Sequence, residues 1–246
     1  MSSSPRALSR GPLSFFAAGL FLAASADGEA AGHVGGSVAV TTDYLLRGVS
    51  QSHGSPALQA DLHYQAVSGW LAGVWASSVE LNPKYGRTAE LNIFAGYSRL
   101  LAADWSMKVV AVHYAYPGIE PAGLYRYDEL IAGAAYRDLV FMTLAVSPNT
   151  PHETAAGVTH DRTALSSELA LRLPLHGTWS ALGGLGYYEL QGPEGAGYGY
   201  WSAGLGYDFE PWHLEMAWFG TADGAAELFD ADMPLSRWAA TLIWHF

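Results

Sequence analysis

The chain has 246 residues, 12 Lys+Arg against 23 Asp+Glu for a formal charge of −11, and no cysteine. That excludes a disulfide framework, a thiolate metal centre and a cysteine nucleophile, and an acidic balance without a Lys/Arg cluster leaves no electrostatic footprint for nucleic acid. Half of the residues are apolar and only 14% are charged, with 28 Gly, 14 Tyr and 9 Trp, a mixture too aromatic and too poor in charge for a disordered chain.

The first segment reads as a targeting signal. Arg6 and Arg10 precede an apolar stretch from Leu13 to Ala24, and Ala24-Ser25-Ala26 supplies the small residues of a cleavage site before Asp27. The stretch is shorter than the roughly 18–20 residues that span a bilayer as a helix. Residues 1–26 are therefore expected to be a cleaved signal peptide and 27–36 an N-terminal periplasmic segment. Cleavage removes two arginines and no acid, leaving 10 basic residues against 23 acidic ones, a net charge of −13.

Beyond it the chain alternates at period two, the pattern of strands with unlike faces. Ser37 to Leu46 reads as the first strand. Next, Leu58, Ala60, Leu62 and Tyr64 alternate with Gln59, Asp61, His63 and Gln65, and Trp70 to Val79 follows. Leu91, Ile93, Ala95 and Tyr97 face away from Glu90, Asn92 and Ser98. Ser106 to Tyr116, Tyr127 to Tyr136 and Leu139 to Val146 are less regular; Ala164 to Leu173 puts four leucines opposite Ser166, Glu168 and Arg172. After Trp179 to Tyr188, the residues Trp201 to Phe209 and Trp212 to Trp218 alternate large apolar side chains with Ser202, Asp208, His213 and Glu215. Trp238, Ala240, Leu242, Trp244 and Phe246 close the series.

This makes about twelve strands, most near the length of a tilted transmembrane strand. Longer polar or Gly/Pro-rich connections (Arg47 to Ser55, Leu81 to Arg87, Pro117 to Arg126, Ser147 to Arg162, Gln191 to Gly197, Thr221 to Leu235) alternate with short ones. Such alternation is the signature of an outer-membrane barrel, with short periplasmic turns and long outer loops. A barrel also satisfies every backbone N–H and C=O in lipid without leaving an edge. The expected fold is thus all-β: a transmembrane antiparallel up-and-down β-barrel spanning 37–246, both termini periplasmic. A secreted β-sandwich shares the alternation, but its apolar faces would need a covering sheet. Trp244 and Phe246 resemble the C-terminal aromatic signal read by the barrel-assembly machinery.

The segment Ser37 to Ser52, with Asp43-Tyr44, Arg47-Gly48 and Ser50-Gln51, resembles the opening motif of the TorF-type porin family, Gram-negative outer-membrane barrels carrying a conserved domain of unknown function. Gly73 to Ser77, Ala95-Gly96-Tyr97 and Tyr114 to Gly118 add weaker similarity. The resemblance covers about residues 36–137 with strand-like similarity beyond, and departs most at Ser147 to Arg162 and Thr221 to Leu235. It implies a barrel and a pore passing small solutes.

Twelve strands lie between the filled eight-stranded barrel and the open channel of sixteen or more, and the chain has no spare domain for a plug. A narrow lumen is expected, lined by Asp43, Gln59, Asp61, His63, Gln65, Glu90, Asn92, Lys108, Glu168, Arg172, Asp208, Glu215, Arg237 and His245. Acids outnumber bases there, which favours cations or neutral solutes weakly over anions. Asp43 and Arg47, four apart, would project to one side of a strand, either as a selectivity feature or as an ion pair at its end, with Gly48 turning the strand out of the sheet. A barrel lipid hydrolase would need a Ser/His pair; His53-Gly54-Ser55 and His113 do not provide one at converging spacing. The nine histidines are scattered, His152-Glu153 and His160-Asp161 sharing only a loop, so no metal and no cofactor is expected. The expected partners are outer-membrane lipid, the assembly machinery and small solutes. A non-conducting structural or ligand-binding barrel is the alternative.

Overall fold

The computed structural model describes residues 32–121, 123–154, 157–192, 195–229 and 236–246. The expected signal peptide, residues 1–26, lies outside them. In chain order the strands are β1 (His33–Thr41), the two-residue β2 (Leu45–Leu46) and β3 (Val49–Ser50), β4 (Ala57–Gln65), β5 (Trp70–Val79), β6 (Thr88–Ala102), β7 (Trp105–Ala115), β8 (Tyr127–Tyr136), β9 (Val140–Thr154), β10 (Gly157–Pro174), β11 (Trp179–Leu190), β12 (Ala196–Phe209), β13 (Trp212–Thr221) and β14 (Arg237–His245). β2 and β3 pair only with each other; the other twelve form one closed antiparallel barrel. Each barrel strand pairs with its neighbours in sequence, and β1 meets β14 with Val38 opposite Trp244 and Thr41 opposite Thr241. Past that ladder, Gly36 and Phe246 exchange two backbone hydrogen bonds of 3.1 and 3.0 Å.

Burial follows the two-residue period. In β6, Glu90, Asn92 and Phe94 are buried while Leu91 and Ile93 are exposed; in β13, His213, Glu215 and Ala217 are buried while Trp212, Leu214 and Met216 are exposed. Large apolar side chains such as Leu62, Leu144, Leu185 and Leu205 thus point outward all round the barrel, a belt far larger than a soluble monomer leaves in water. At the end carrying the short turns, aromatics pair across neighbouring strands: Trp70 with Tyr97, Trp105 with Tyr136, Trp179 with Tyr207 and Trp212 with Trp244, centroids 4.8–6.3 Å apart. Trp218 and Trp238 meet nearer the other rim. Rings at such levels place an apolar body and a polar tip at an interface.

Two stretches differ from the sequence expectation. The first strand begins at His33, within the stretch expected to precede the barrel, where His33 to Gly36 already pair with β4, and it ends at Thr41 and not at Leu46, because Thr41 Oγ1 donates to the carbonyl of Asp43 (2.8 Å) and draws the chain away from the ladder. The stretch 147–162, expected as a loop on its prolines, is instead mostly strand. Pairing of β8 with β9 stops at Val146 and that of β10 with β11 at Ala164, so the continuing residues of β9 and β10 pair only with each other. Pro148 and Pro151 are tolerated there because each has a free edge beside it, and register shifts at Thr159, Arg162 and Ala164 mark the irregularity. In the connection after β13, a short helix α1 (Ala225–Leu228) packs against β12 with Ala225 fully buried.

Candidate functional site: an inward hairpin and the vestibule above it

The first long connection turns into the barrel. Leu45 faces Ser50 and Leu46 faces Val49 across a two-residue turn, Arg47-Gly48, both with positive φ (52° and 78°). Two adjacent positive-φ residues characterise the tight hairpin whose twist matches its strands, and glycine second is its common form. A Cβ on Gly48 would lie 2.6 Å from Thr221 Cγ2 and 3.1 Å from Tyr200 Cβ, so the position is fixed both by conformation and by contact. Gly48 therefore turns an inward hairpin and does not lead the strand out of the sheet.

The hairpin spans the interior because its alternate side chains seat against different walls. Tyr44 and Leu46 join a cluster with Trp75, Phe94, Val112 and Tyr114 from β5–β7. Val49 packs with Tyr188 and Tyr198 of β11 and β12. Leu45 packs with Ala217, Phe219 and Ala239 of β13 and β14. The barrel interior is thus crossed by its own first connection.

Charge locks the hairpin in place, although Asp43 and Arg47 do not pair with each other. Asp43 lies in the bend after β1; its Oδ1 accepts from Ser50 Oγ (2.6 Å) and Ser52 Oγ (2.9 Å), and its Oδ2 accepts from Arg237 Nη1 (2.8 Å). Arg47 donates to Glu129 Oε1 at 2.6 Å, while Tyr114 O–H donates to the other oxygen at 3.1 Å. The Arg47 guanidinium also lies 5.2 Å from the Tyr188 ring centre, and Tyr198 O–H donates to the Arg47 carbonyl at 3.1 Å. With side-chain exposures of 8% and 3%, the Arg47–Glu129 pair is a buried charge pair, supported by the Tyr114 hydrogen bond on Glu129 and the Tyr188 ring beside Arg47. Gln51 N donates to the Tyr44 carbonyl, and Glu80 N to the Gln51 carbonyl.

The other expected residues divide into groups. Glu90 is fully buried and accepts from Asn92 Nδ2 (2.7 Å), with Tyr44 O–H at 3.5 Å. Glu168 is buried on β10. Gln65 Nε2 donates to Ser98 Oγ (2.9 Å); Gln59 reaches Ser77 (3.5 Å); Lys108 is buried on β7. Toward the short-turn end, His213 lies 2.5 Å from Asp208, 2.9 Å from Glu215 and 3.0 Å from Arg172. Beside it Asp61 contacts His63 (2.7 Å) and Ser37 (2.5 Å), and His245 is half-buried. Trp244 and Phe246 are exposed and their rings stand 5.1 Å apart. His53 Nδ1 is held at 2.7 Å from the Glu80 carbonyl, whereas His113 pairs with Asp128 on the outer wall, so the two do not converge.

Glu129 and the interior tyrosines are functional candidates that the sequence reading passed over. The signal was present: Leu130 and Ala132 are exposed on β8, which places Glu129 and Ile131 inside by the same alternation used elsewhere. Above the hairpin, on the side of the long connections, lies a cavity of about 450 Å³. Its floor is Leu46, Arg47 and Gln51, and its walls include Tyr116, Tyr127 and Tyr198.

The fold, a closed antiparallel barrel of twelve strands, is similar to that of solved outer-membrane porins and channels. The KdgM porin matches it with a TM-score of 0.52 at 8% identity, covering 86% of this chain and 99% of that one. An outer-membrane channel from Pseudomonas putida F1 matches with a TM-score of 0.51 at 13% identity, covering 89% and 97%. The chain belongs to the Gcw_chp family, described as bacterial protein of unknown function, whose model matches residues 25–242. No curated protein matches it.

Proposed function

We propose that this chain is an outer-membrane porin of the TorF type, passing small solutes by passive diffusion through a narrow path beside the inward hairpin. The observation that carries the reading is the closed barrel with an apolar exterior and a charged interior crossed by the first connection. An apolar outer belt needs lipid, and a charged, hydrogen-bonding interior serves water and solutes. Buried residues include five acids (Asp43, Glu90, Glu129, Glu168, Glu215) and three Lys/Arg side chains (Arg47, Lys108, Arg172). Acids outnumber basic side chains among these residues, which supports a weak preference for cations or neutral solutes. On this reading the short-turn end and both termini face the periplasm, residues 1–26 are removed on export, the Trp244/Phe246 end is the element read by the assembly machinery, and the barrel carries out no catalysis.

The test is a planar-bilayer recording of the refolded chain under a salt gradient. Discrete current steps with a reversal potential favouring cations are expected; anion selectivity would refute the charge argument. The occupied cross-section favours one second reading, a non-conducting ligand-binding barrel, which predicts heat-modifiable insertion without current.

A further inference from the structure

We infer that the vestibule above the hairpin is a binding site for an uncharged sugar, a mono- or disaccharide held on tyrosine faces over the Arg47-Gly48 turn; this deepens the porin reading by naming its solute class, and it rests on that reading only for the direction of passage. The cavity's volume, about 450 Å³, lies within the range that encloses a small molecule. Its aromatic lining is five tyrosines with Phe229; the rings offer negative faces to C–H groups and the tyrosine hydroxyls take part in hydrogen bonds. Interleaved with them are Gln51, Asn82 and Thr150; each makes one internal hydrogen bond, Gln51 Nε2 to the Val49 carbonyl, Thr150 Oγ1 to Ser147 Oγ and Asn82 Oδ1 from Lys84 N, and keeps further capacity, the amides as donors and acceptors and the hydroxyl as an acceptor, for sugar hydroxyl groups.

The alternatives fit less well. An apolar ligand would strip water from those amides and hydroxyls without replacing their hydrogen bonds, at a cost. An anion would need an unneutralised cation, but the Arg47 guanidinium at the floor is already bound to Glu129 at 2.6 Å, which leaves the imidazole of His152 as the other basic group on the lining among the described residues. A cation would need a cluster of carboxylates, and the vestibule wall carries Glu227 alone among the described residues. A flat heterocycle would need two parallel rings with a slot between them. Tyr116 and Tyr125 stand at 81° and Tyr188 and Tyr198 at 48°, while Tyr127 already stacks on Tyr114 at 4.2 Å. Rings set at steep angles suit a puckered ligand with C–H groups on several sides.

The site is tested by calorimetric titration of the refolded full chain with maltose, with lactobionate as an acidic relative and adenosine as a planar heterocycle, alongside bilayer recordings with maltose added on each side. Maltose is expected to bind in preference to the other two. Tyr125→Ala should weaken binding about five- to tenfold and Tyr125→Phe much less, because ring stacking is retained; Asn82→Ala, at a half-buried connection residue, serves as the second variant. Maltose binding that these variants weaken, without any current, upholds the site and removes the porin reading. Clear current without maltose binding does the reverse. Stronger binding of lactobionate or adenosine, or maltose binding unaltered in Tyr125→Ala and Asn82→Ala, overturns the assignment.

Discussion

Replacing Arg47 by alanine should release the tip of the inward hairpin while leaving the barrel intact. Glu129 would remain buried at 3% side-chain exposure with Tyr114 as its one hydrogen-bonding partner, and an uncompensated buried charge of this kind costs about 3–5 kcal/mol. At about 1.4 kcal/mol per tenfold, the ratio of docked to released hairpin should fall by roughly two to three and a half decades. The Asp43 anchor to Ser50, Ser52 and Arg237 is untouched, so release should be confined to the turn. Hydrogen exchange is the assay: the amides of Leu46 and Val49, which pair across the turn, should exchange at least about a hundredfold faster, with amides of β11 and β12 unchanged. The double variant Arg47→Ala/Glu129→Ala removes the stranded charge and should recover most of the protection. If the two single effects simply add in the double variant, or if exchange in Arg47→Ala rises less than about threefold, the pair is not the lock and the reasoning fails.

Asp43→Asn keeps the side chain's shape but weakens a carboxylate that accepts three hydrogen bonds, so it should loosen the hairpin base by about 1.5–3 kcal/mol, seen as faster exchange of the Tyr44 amide, which donates to Ser52 Oγ. Gly48→Ala places a Cβ at φ 78° and 2.6 Å from Thr221 Cγ2; a loss of at least about 1–2 kcal/mol is expected, and a thermal midpoint equal to that of the parent would contradict the close approach. Met216→Arg, on an outward position half exposed between Trp212 and Trp218 on β13, should cost about 2–4 kcal/mol in the denaturant titration of protein folded in lipid vesicles if this level is the middle of the bilayer. An unchanged titration would mean that the outer belt does not meet lipid.

The barrel was legible in the sequence because lipid and interior impose opposite chemistry on adjacent residues. Leu91 and Asn92, or Leu214 and Glu215, declare their faces without any knowledge of their neighbours. The hairpin was not legible for the same reason in reverse: Ser37 to Leu46 continues to alternate, and nothing local marks Thr41 as the last residue in the sheet. Its anchors lie far off in the chain, Asp43 to Arg237 and Arg47 to Glu129, so their spacing of four suggested a partnership that the fold does not use. Glu129 was readable from Leu130 and Ala132, but Tyr127-Asp128-Glu129 disguises the period with a polar residue on the outer face, where Asp128 meets His113 and Asn149 beyond the apolar belt. The paired extension of β9 and β10 was hidden by prolines, which mark loops only where a ladder would otherwise need their N–H.

The seam between β1 and β14 sets a timetable for the molecule. Residues about 200 positions apart, such as Thr41 and Thr241, become direct neighbours there, whereas every other barrel pair joins consecutive strands. A chain emerging from its N-terminal side can zip β4 to β5 and onward as hairpins, but β1 must wait with an open edge until β14 arrives. During that interval the unpaired edges of the growing sheet are the part of the protein most exposed to pairing with the wrong chain. The same delay governs the interior, since Asp43 finds Arg237 on β14 itself: the hairpin's last anchor forms in the step that closes the wall, and occlusion and closure become one event.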